Sequence, residues 1–321
     1  VANGACIIKV SRMCVLVLAL AATCVSSATA EPFSPGLAGF SVRLQGEINP
    51  YEVLGVYVMP GESLDLEILG TEPPESFRLS PIRGAVLRTG ERSWSWKAPS
   101  AAGLYPLEIA SDNARMTLNI FVMVPLDRVR EGSLNGYRIG EYPDEPLRGL
   151  MAYENPPGLV EMTPANENTR VSPHFRLVQF KCKQEGGPPR YVVLRERLLL
   201  KLERVLAEVN ARGYCCDTLH VMSGYRTPEY NTAIRNVRYS RHQWGDGVDI
   251  FVDADPEDGL IDDLDGDGKV DLEDARLLYR LIDEMNDGES GQGGLAPYPA
   301  TSAHGPFVHL DVRGYRARWR Q

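Results

Sequence analysis

Two short segments constrain this chain of 321 residues more than anything else in it. The first runs Ser240-Arg241-His242-Gln243-Trp244-Gly245-Asp246-Gly247-Val248-Asp249 and continues into Ile250-Phe251-Val252-Asp253. The second is Gly305-Pro306-Phe307-Val308-His309-Leu310-Asp311. In each, apolar residues alternate with side chains able to hold a metal, and on a strand alternate side chains face opposite ways. Val248, Ile250 and Val252 then share one face and Asp249 lies on the other. Val308 and Leu310 likewise point away from His309 and Asp311. Two such strands, burying their aliphatics on one face, present His and Asp together on the opposite face, and the glycine-rich turn adds His242. A single histidine says little. Two histidines, a carboxylate and an open fourth position are what a hydrolytic zinc needs to bind and acidify water.

The same residues carry a resemblance. Ser240, His242, Gly245 and Asp249 match the Ser-x-His-x-x-Gly-x-x-x-Asp signature of the D-alanyl-D-alanine carboxypeptidase family of zinc peptidases, whose fold is shared with Hedgehog domains. Phe307 to Asp311, followed by Arg313 and Trp319, resembles the branch that includes bacterial murein endopeptidases. Ser223-Gly224-Tyr225-Arg226-Thr227-Pro228, with Tyr230-Asn231, is similar to the family's upstream motif. The likeness covers roughly residues 170–321. It implies zinc at His242, Asp249 and His309, with peptidoglycan stem peptides as the partner and peptide bonds at D-amino acids as the target. It also implies that Arg226 and Ser240 face the substrate, where a guanidinium can grip a carboxylate or a polarised carbonyl. Many relatives carry Glu or Asp three residues before the last zinc histidine as general base, and here that position is Pro306. Asp311 is the expected replacement and His304 the second choice, with a role for Asp311 in orienting His309 equally open. The rival to a peptidase is a non-catalytic, metal-containing wall-binding or adhesion module.

Between the two segments lies an acidic stretch, Asp263-Leu264-Asp265-Gly266-Asp267-Gly268-Lys269-Val270-Asp271-Leu272-Glu273-Asp274. Acids fall at loop positions one, three, five, nine and twelve, with glycine at six and Lys269 at seven, where a calcium loop uses a backbone carbonyl. Asp at position twelve resembles dockerin loops more than an EF-hand. The expectation is a calcium clip within an insertion at 253–286, with Ala275 to Met285 as its exiting helix and Leu277, Leu278 and Ile282 on the apolar side.

The rest of the chain sets the context. Residues 1–30 place Lys9 and Arg12 before an apolar run and end in Ala28-Thr29-Ala30, the order of a secretory signal peptide. That predicts an exported protein, periplasmic or wall-associated, with no transmembrane segment after signal removal. Export permits disulfides, and Cys182 with Cys215 or Cys216 is the expected bridge. A net charge of −9 argues against a nucleic-acid partner. Residues 31–125 read as short strands punctuated by Gly and Pro, the pattern of an all-β immunoglobulin-like sandwich with a protein or wall partner of its own. Residues 126–170 read as a linker region and 171–321 as an α+β zinc peptidase domain with an antiparallel sheet, so the fold class expected is multidomain. Leu194, Leu198, Leu202, Val205 and Val209 predict a helix closed by Gly213, and Thr227-Pro228 predicts the start of another.

Overall fold

The structure, a computed structural model, describes residues 33–285 and 292–319; the signal-peptide reading lies outside them. From Phe33 onward the chain forms one compact unit, mostly β, with few helices. Its first part is built of β1 (Leu37–Leu44), β2 (Glu47–Tyr51), β3 (Val53–Val58), β4 (Ser63–Leu69), β5 (Arg78–Pro81), β6 (Ala85–Arg88), β7 (Ser93–Lys97), β8 (Gly103–Ala110) and β9 (Arg115–Val122). These make two sheets, in the orders β2-β1-β4-β7-β6 and β3-β9-β8-β5, with β3 and β9 parallel. Strict alternation along β1, β4 and β7 buries Val42, Leu44, Leu64, Leu66, Ile68, Trp94 and Trp96. They share a core with Leu54, Val56, Leu107, Ile109, Leu118 and Ile120 of the second sheet.

Residues 126–170 do more than link. β10 (Val124–Pro125), the hairpin of β11 (Ser133–Leu134) and β12 (Tyr137–Arg138), and β13 (Gly158–Met162), which joins β10 to β14 (Arg190–Val192), bury Leu134, Tyr137, Leu159, Val160 and Met162 in the same core. Hydrogen bonds tie the two halves of the chain together. Gly55 N–H donates to Val171 O at 2.7 Å, Tyr57 N–H to Glu196 Oε1 at 2.9 Å, and Arg197 Nε to Glu47 Oε1 at 2.7 Å.

The C-terminal part is a five-stranded sheet with helices against it. Its strands are β15 (His220–Ser223), β16 (Gly247–Phe251), β17 (Gly294–Tyr298), β18 (Phe307–Asp311) and β19 (Ala317–Arg318), in the order β15-β16-β18-β17-β19. The expected sheet was antiparallel. This one is mixed, because the chain turns after β18 and lays β19 parallel to β17. Helix α1 (Glu196–Ala211) buries Leu198, Leu202, Val205 and Val209, and Gly213, at φ 95°, follows it where a left-handed residue is needed to end the turn. Thr227 Oγ1 accepts Tyr230 N–H at 3.1 Å to cap α2 (Pro228–Ala233). Helix α3 (Leu272–Glu284) begins three residues earlier than the apolar spacing suggests, because Asp271 caps it. Its Leu278, Leu281 and Ile282 pack into the core, while Leu277 is only half-buried. Among the described residues no helix is long and apolar enough to cross a membrane.

The cysteines depart from expectation. Cys182, Cys215 and Cys216 are all free. Cys182 lies beside Tyr137, whereas Cys216 is held by Asn210 at the end of α1, its thiol pushed up to about 12 by burial.

Candidate metal centre

β16 and β18 pair antiparallel in a register that sets Asp249 opposite His309 and Gly247 opposite Asp311. Both strands are buried on both faces, and α3 lies against β18. His242 arrives on a single 3-10 turn, Arg241–Trp244, which ends at Gly245 with φ 69°. A Cβ at Gly245 would lie 2.3 Å from Val193 O, so only glycine lets the turn seat against the residues leading into α1.

On this frame the donors converge. His242 Nε2 lies 3.2 Å from Asp249 Oδ1, and His309 Nδ1 lies 2.8 Å from the same oxygen. The ligating atoms of the three residues fall within 4.8 Å of one another, so this buried triad can hold a metal ion. The far side of each imidazole is occupied. His242 Nδ1 is 2.7 Å from Gly224 O, and His309 Nε2 is 3.2 Å from Asp311 Oδ2. Partners of this kind set the tautomer and ring orientation of a metal-ligating histidine. Burial pulls His242 below the ordinary histidine range, against the opposing charge of Asp249. Burial acts on Asp249 in the upward direction, but the two histidines hold its carboxyl well below the carboxylate range. For His309 burial is likewise outweighed, and the flanking carboxylates of Asp249 and Asp311 raise it to about 9. The pocket is thus polarised to hold positive charge between its carboxylates.

The other expected residues fall around this centre. Arg226 donates from its Nη2 to Asp249 Oδ2 at 2.5 Å and from Nε to Ser223 Oγ at 2.9 Å, so part of its fork is committed to the Asp249 carboxylate. Ser240 is buried at the start of the His242 turn, where its carbonyl accepts Gln243 N–H. His304 is half-buried on the loop before β18, with Nδ1 2.8 Å from Gly305 O and its ring edge-on to Phe307. It is not part of the donor cluster.

Asp311 is placed differently from a base. Its Oδ1 accepts Gly294 N–H at 2.8 Å and Arg313 Nε at 2.8 Å, while Oδ2 pairs with Arg313 Nη2 and faces His309. The residue is fully buried, and although burial pushes its carboxyl up, His309 and Arg313 hold it far below the carboxylate range. A carboxylate with both oxygens engaged and so little appetite for a proton does not suit general-base work. Gly294 makes the arrangement possible, since a Cβ there would lie 2.3 Å from Asp311 Oδ2.

Some neighbours were not assigned a role from sequence. Arg313 was part of the matched ending, and its i+2 spacing from Asp311 was the available signal. Trp319 packs its ring 5.5 Å from His309 and donates to Tyr298 Oη at 2.9 Å, and Tyr298 stacks on Phe307 at 4.7 Å. These rings form an aromatic rim beside the donors. Burial pulls the ammonium of Lys183, which no motif marked, below the ordinary lysine range, with the charge of Arg226 adding to the fall and that of Asp249 opposing it.

In the acidic insertion, carboxylate oxygens of Asp263, Asp265 and Asp267 lie within 4.8 Å of one another. The loop is turned by side-chain-to-backbone bonds, among them Gly266 N–H and Gly268 N–H to Asp263, and Lys269 N–H to Asp267. Asp271 and Asp274 form the capping box of α3, and the buried Asp274 also accepts Leu264 N–H at 2.8 Å. No protein-family profile matches the chain, and no curated protein matches it.

Proposed function

We propose that the chain is an exported zinc metallopeptidase of the cell wall that hydrolyses peptide bonds at D-amino acids in peptidoglycan. The observation that carries this reading is the convergence of His242 Nε2, Asp249 Oδ1 and His309 Nδ1. Two nitrogens and one carboxylate oxygen are a donor set suited to catalytic zinc, and the blocks that supply them are those resembling the zinc D-alanyl carboxypeptidases and murein endopeptidases. Bound there, zinc supplies Lewis acidity toward a carbonyl and toward water. The chain's own residues do the rest. Gly224 O and Asp311 hold the two imidazoles in orientation, Arg226 holds Asp249, and Trp319 with Tyr298 shields one side from solvent. The N-terminal strands, read as an immunoglobulin-like sandwich, would position the enzyme on the wall or on a protein partner. A calcium ion held by Asp263, Asp265, Asp267, the Lys269 carbonyl, Asp271 and Asp274 would brace the insertion.

A second reading has one observation in its favour. Pro306 stands where relatives carry an acid, and Asp311 is fully engaged, which supports a metal-containing wall-binding module without turnover. One experiment separates the two. Purified sacculi are incubated with zinc-loaded protein and the released fragments are identified by mass. The peptidase reading expects new stem-peptide fragments, and His242→Ala or His309→Ala should abolish both fragments and bound zinc. Sacculi bound but uncut by zinc-loaded protein would establish the binding module. Stoichiometric zinc in a variant lacking both histidines would overturn the metal assignment.

A further inference from the structure

We propose that residues 142–154, which lie outside the zinc-peptidase likeness, form a strap that sets the first metal ligand, with Tyr142 as a positioning residue for His242. The inference rests on the metal reading of His242, Asp249 and His309 and goes beyond it. The turn that carries His242 is gripped from this one segment along its length. Tyr239 Oη donates to Glu145 O at 3.2 Å, Arg241 Nη2 to Ala152 O at 2.8 Å, and Trp244 Nε1 to Glu154 O at 3.0 Å. Gln243 is held in the opposite sense, its carbonyl accepting from Tyr142 Oη at 3.0 Å. Tyr153 adds its ring, edge-on to Trp244 at 5.4 Å and under the Arg241 guanidinium at 4.2 Å. The imidazole of His242, in the middle of the turn, lies instead against Asp249 and Gly224 O.

Tyr142 does more than hold one carbonyl. A tyrosine hydroxyl has one proton to give. That of Tyr142 goes to Gln243 O, so Tyr225 Oη is the donor in the 2.9 Å contact between the two hydroxyls. Burial raises both hydroxyls above the ordinary tyrosine range, and each keeps its proton for this relay. The relay closes a ring around the ligand. Gly224 O is 2.7 Å from His242 Nδ1, Arg226 N–H donates to His242 O at 3.2 Å, and Tyr225 stands between Gly224 and Arg226 in the chain. The backbone that carries His242 and the backbone that orients its ring are thus bridged by one hydroxyl from outside both. Removing that hydroxyl loosens the spacing of the two stretches and lets Nε2 drift from its place beside Asp249 Oδ1. A metal site depends on such supports, because one misplaced ligand weakens the ion and alters its geometry.

The test titrates zinc into metal-free full chain under chelator competition and records the visible absorption of the cobalt(II)-loaded protein, whose bands follow ligand geometry. Tyr142→Phe removes the relay and keeps the ring that packs against Trp244. It should lower zinc affinity by about tenfold, the smaller end of the cost of disturbing the support of a ligating histidine, and displace the cobalt bands. Tyr239→Phe, at the half-buried end of the strap, should move both in the same direction and by less. Tyr191→Phe is the control. It deletes a 2.7 Å bond to Glu161, and its other contacts, Asn135 and Tyr137, are not in the turn, so affinity and spectrum should stay as in wild type. Tyr142→Phe with wild-type affinity and spectrum, or a Tyr191→Phe that weakens zinc equally, overturns the strap while the metal reading stands. If Tyr142→Phe does not fold, Tyr239→Phe decides, and an unchanged spectrum overturns the strap. Wild type that takes up no zinc, or holds it without His242 and His309, overturns the metal reading and the role of Tyr142 with it.

Discussion

Asp311 shows how much a single side chain is fixed by its neighbours. It sits two residues after His309 on one strand face, which sequence alone reads equally as a base or as a support for His309. The choice depends on Gly294, a residue on β17 that meets Asp311 only once β17 and β18 pair, and on the Arg313 fork closing over the same carboxylate. With both oxygens taken, Asp311 is expected to act on His309. Asp311→Asn should therefore weaken zinc binding by about ten- to a hundredfold, the usual cost of removing the partner of a ligating histidine. Turnover at saturating zinc should stay within a few-fold of wild type. Chelator competition measures the first and steady-state kinetics the second, and unchanged affinity with a hundredfold slower turnover would return Asp311 to the role of base. The convergence of Asp249 and His309 was readable, because alternation of Val248, Ile250, Val308 and Leu310 with these two residues dictates the faces. Lys183 was not, since its place depends on how residues 180–184 settle against the Gly224–Thr227 turn.

At the scale of elements, the acidic insertion combines two tasks. Asp271 and Asp274 cap α3, and α3 packs on β17 and β18, which carry the site. The loop pattern was legible from spacing, but the earlier start of α3 was not, because Asp271 serves the helix as well as the loop. If calcium binds the folded loop, it should raise the melting temperature in proportion to the logarithm of its concentration. Asp265→Ala with Asp267→Ala should remove that rise and leave α3 capped, since neither residue belongs to the cap. Melting indifferent to millimolar calcium would show the loop to be acidic without being a calcium site. The mixed order of the C-terminal sheet was hidden for a different reason. β19 spans only Ala317–Arg318, too short for any alternation to announce it.

Across the whole molecule, the two halves meet at α1. Glu196, in its first turn, is buried against the N-terminal strands and accepts Tyr57 N–H, and burial raises its carboxyl to about 7 from an ordinary 4.5. The folded protein then keeps a proton that the unfolded chain releases. Its contribution to stability is complete below about 4.5 and is lost as pH rises through about 7, on the order of 3 kcal/mol in all. Glu196→Gln keeps an acceptor for Tyr57 and has no proton to lose. Wild type should lose melting temperature between pH 5 and pH 8 more steeply than Glu196→Gln, and parallel profiles would refute the assignment. Sequence reading divided the chain at a linker, and what it could not see was that this region supplies buried residues such as Tyr137, Leu159 and Met162 to a common core.

The contact at Glu196 has a mechanical meaning. The next residue back, Arg195, donates its N–H to Gly245 O at 3.1 Å and its Nε to Trp244 O at 3.3 Å, at the end of the turn that carries His242. A tug on the N-terminal strands reaches the bond between Tyr57 and Glu196, one of several ties between the halves, and from there one peptide link leads to that turn. A protein anchored by those strands to a stretched surface would thus feel part of the tension at the turn that carries His242.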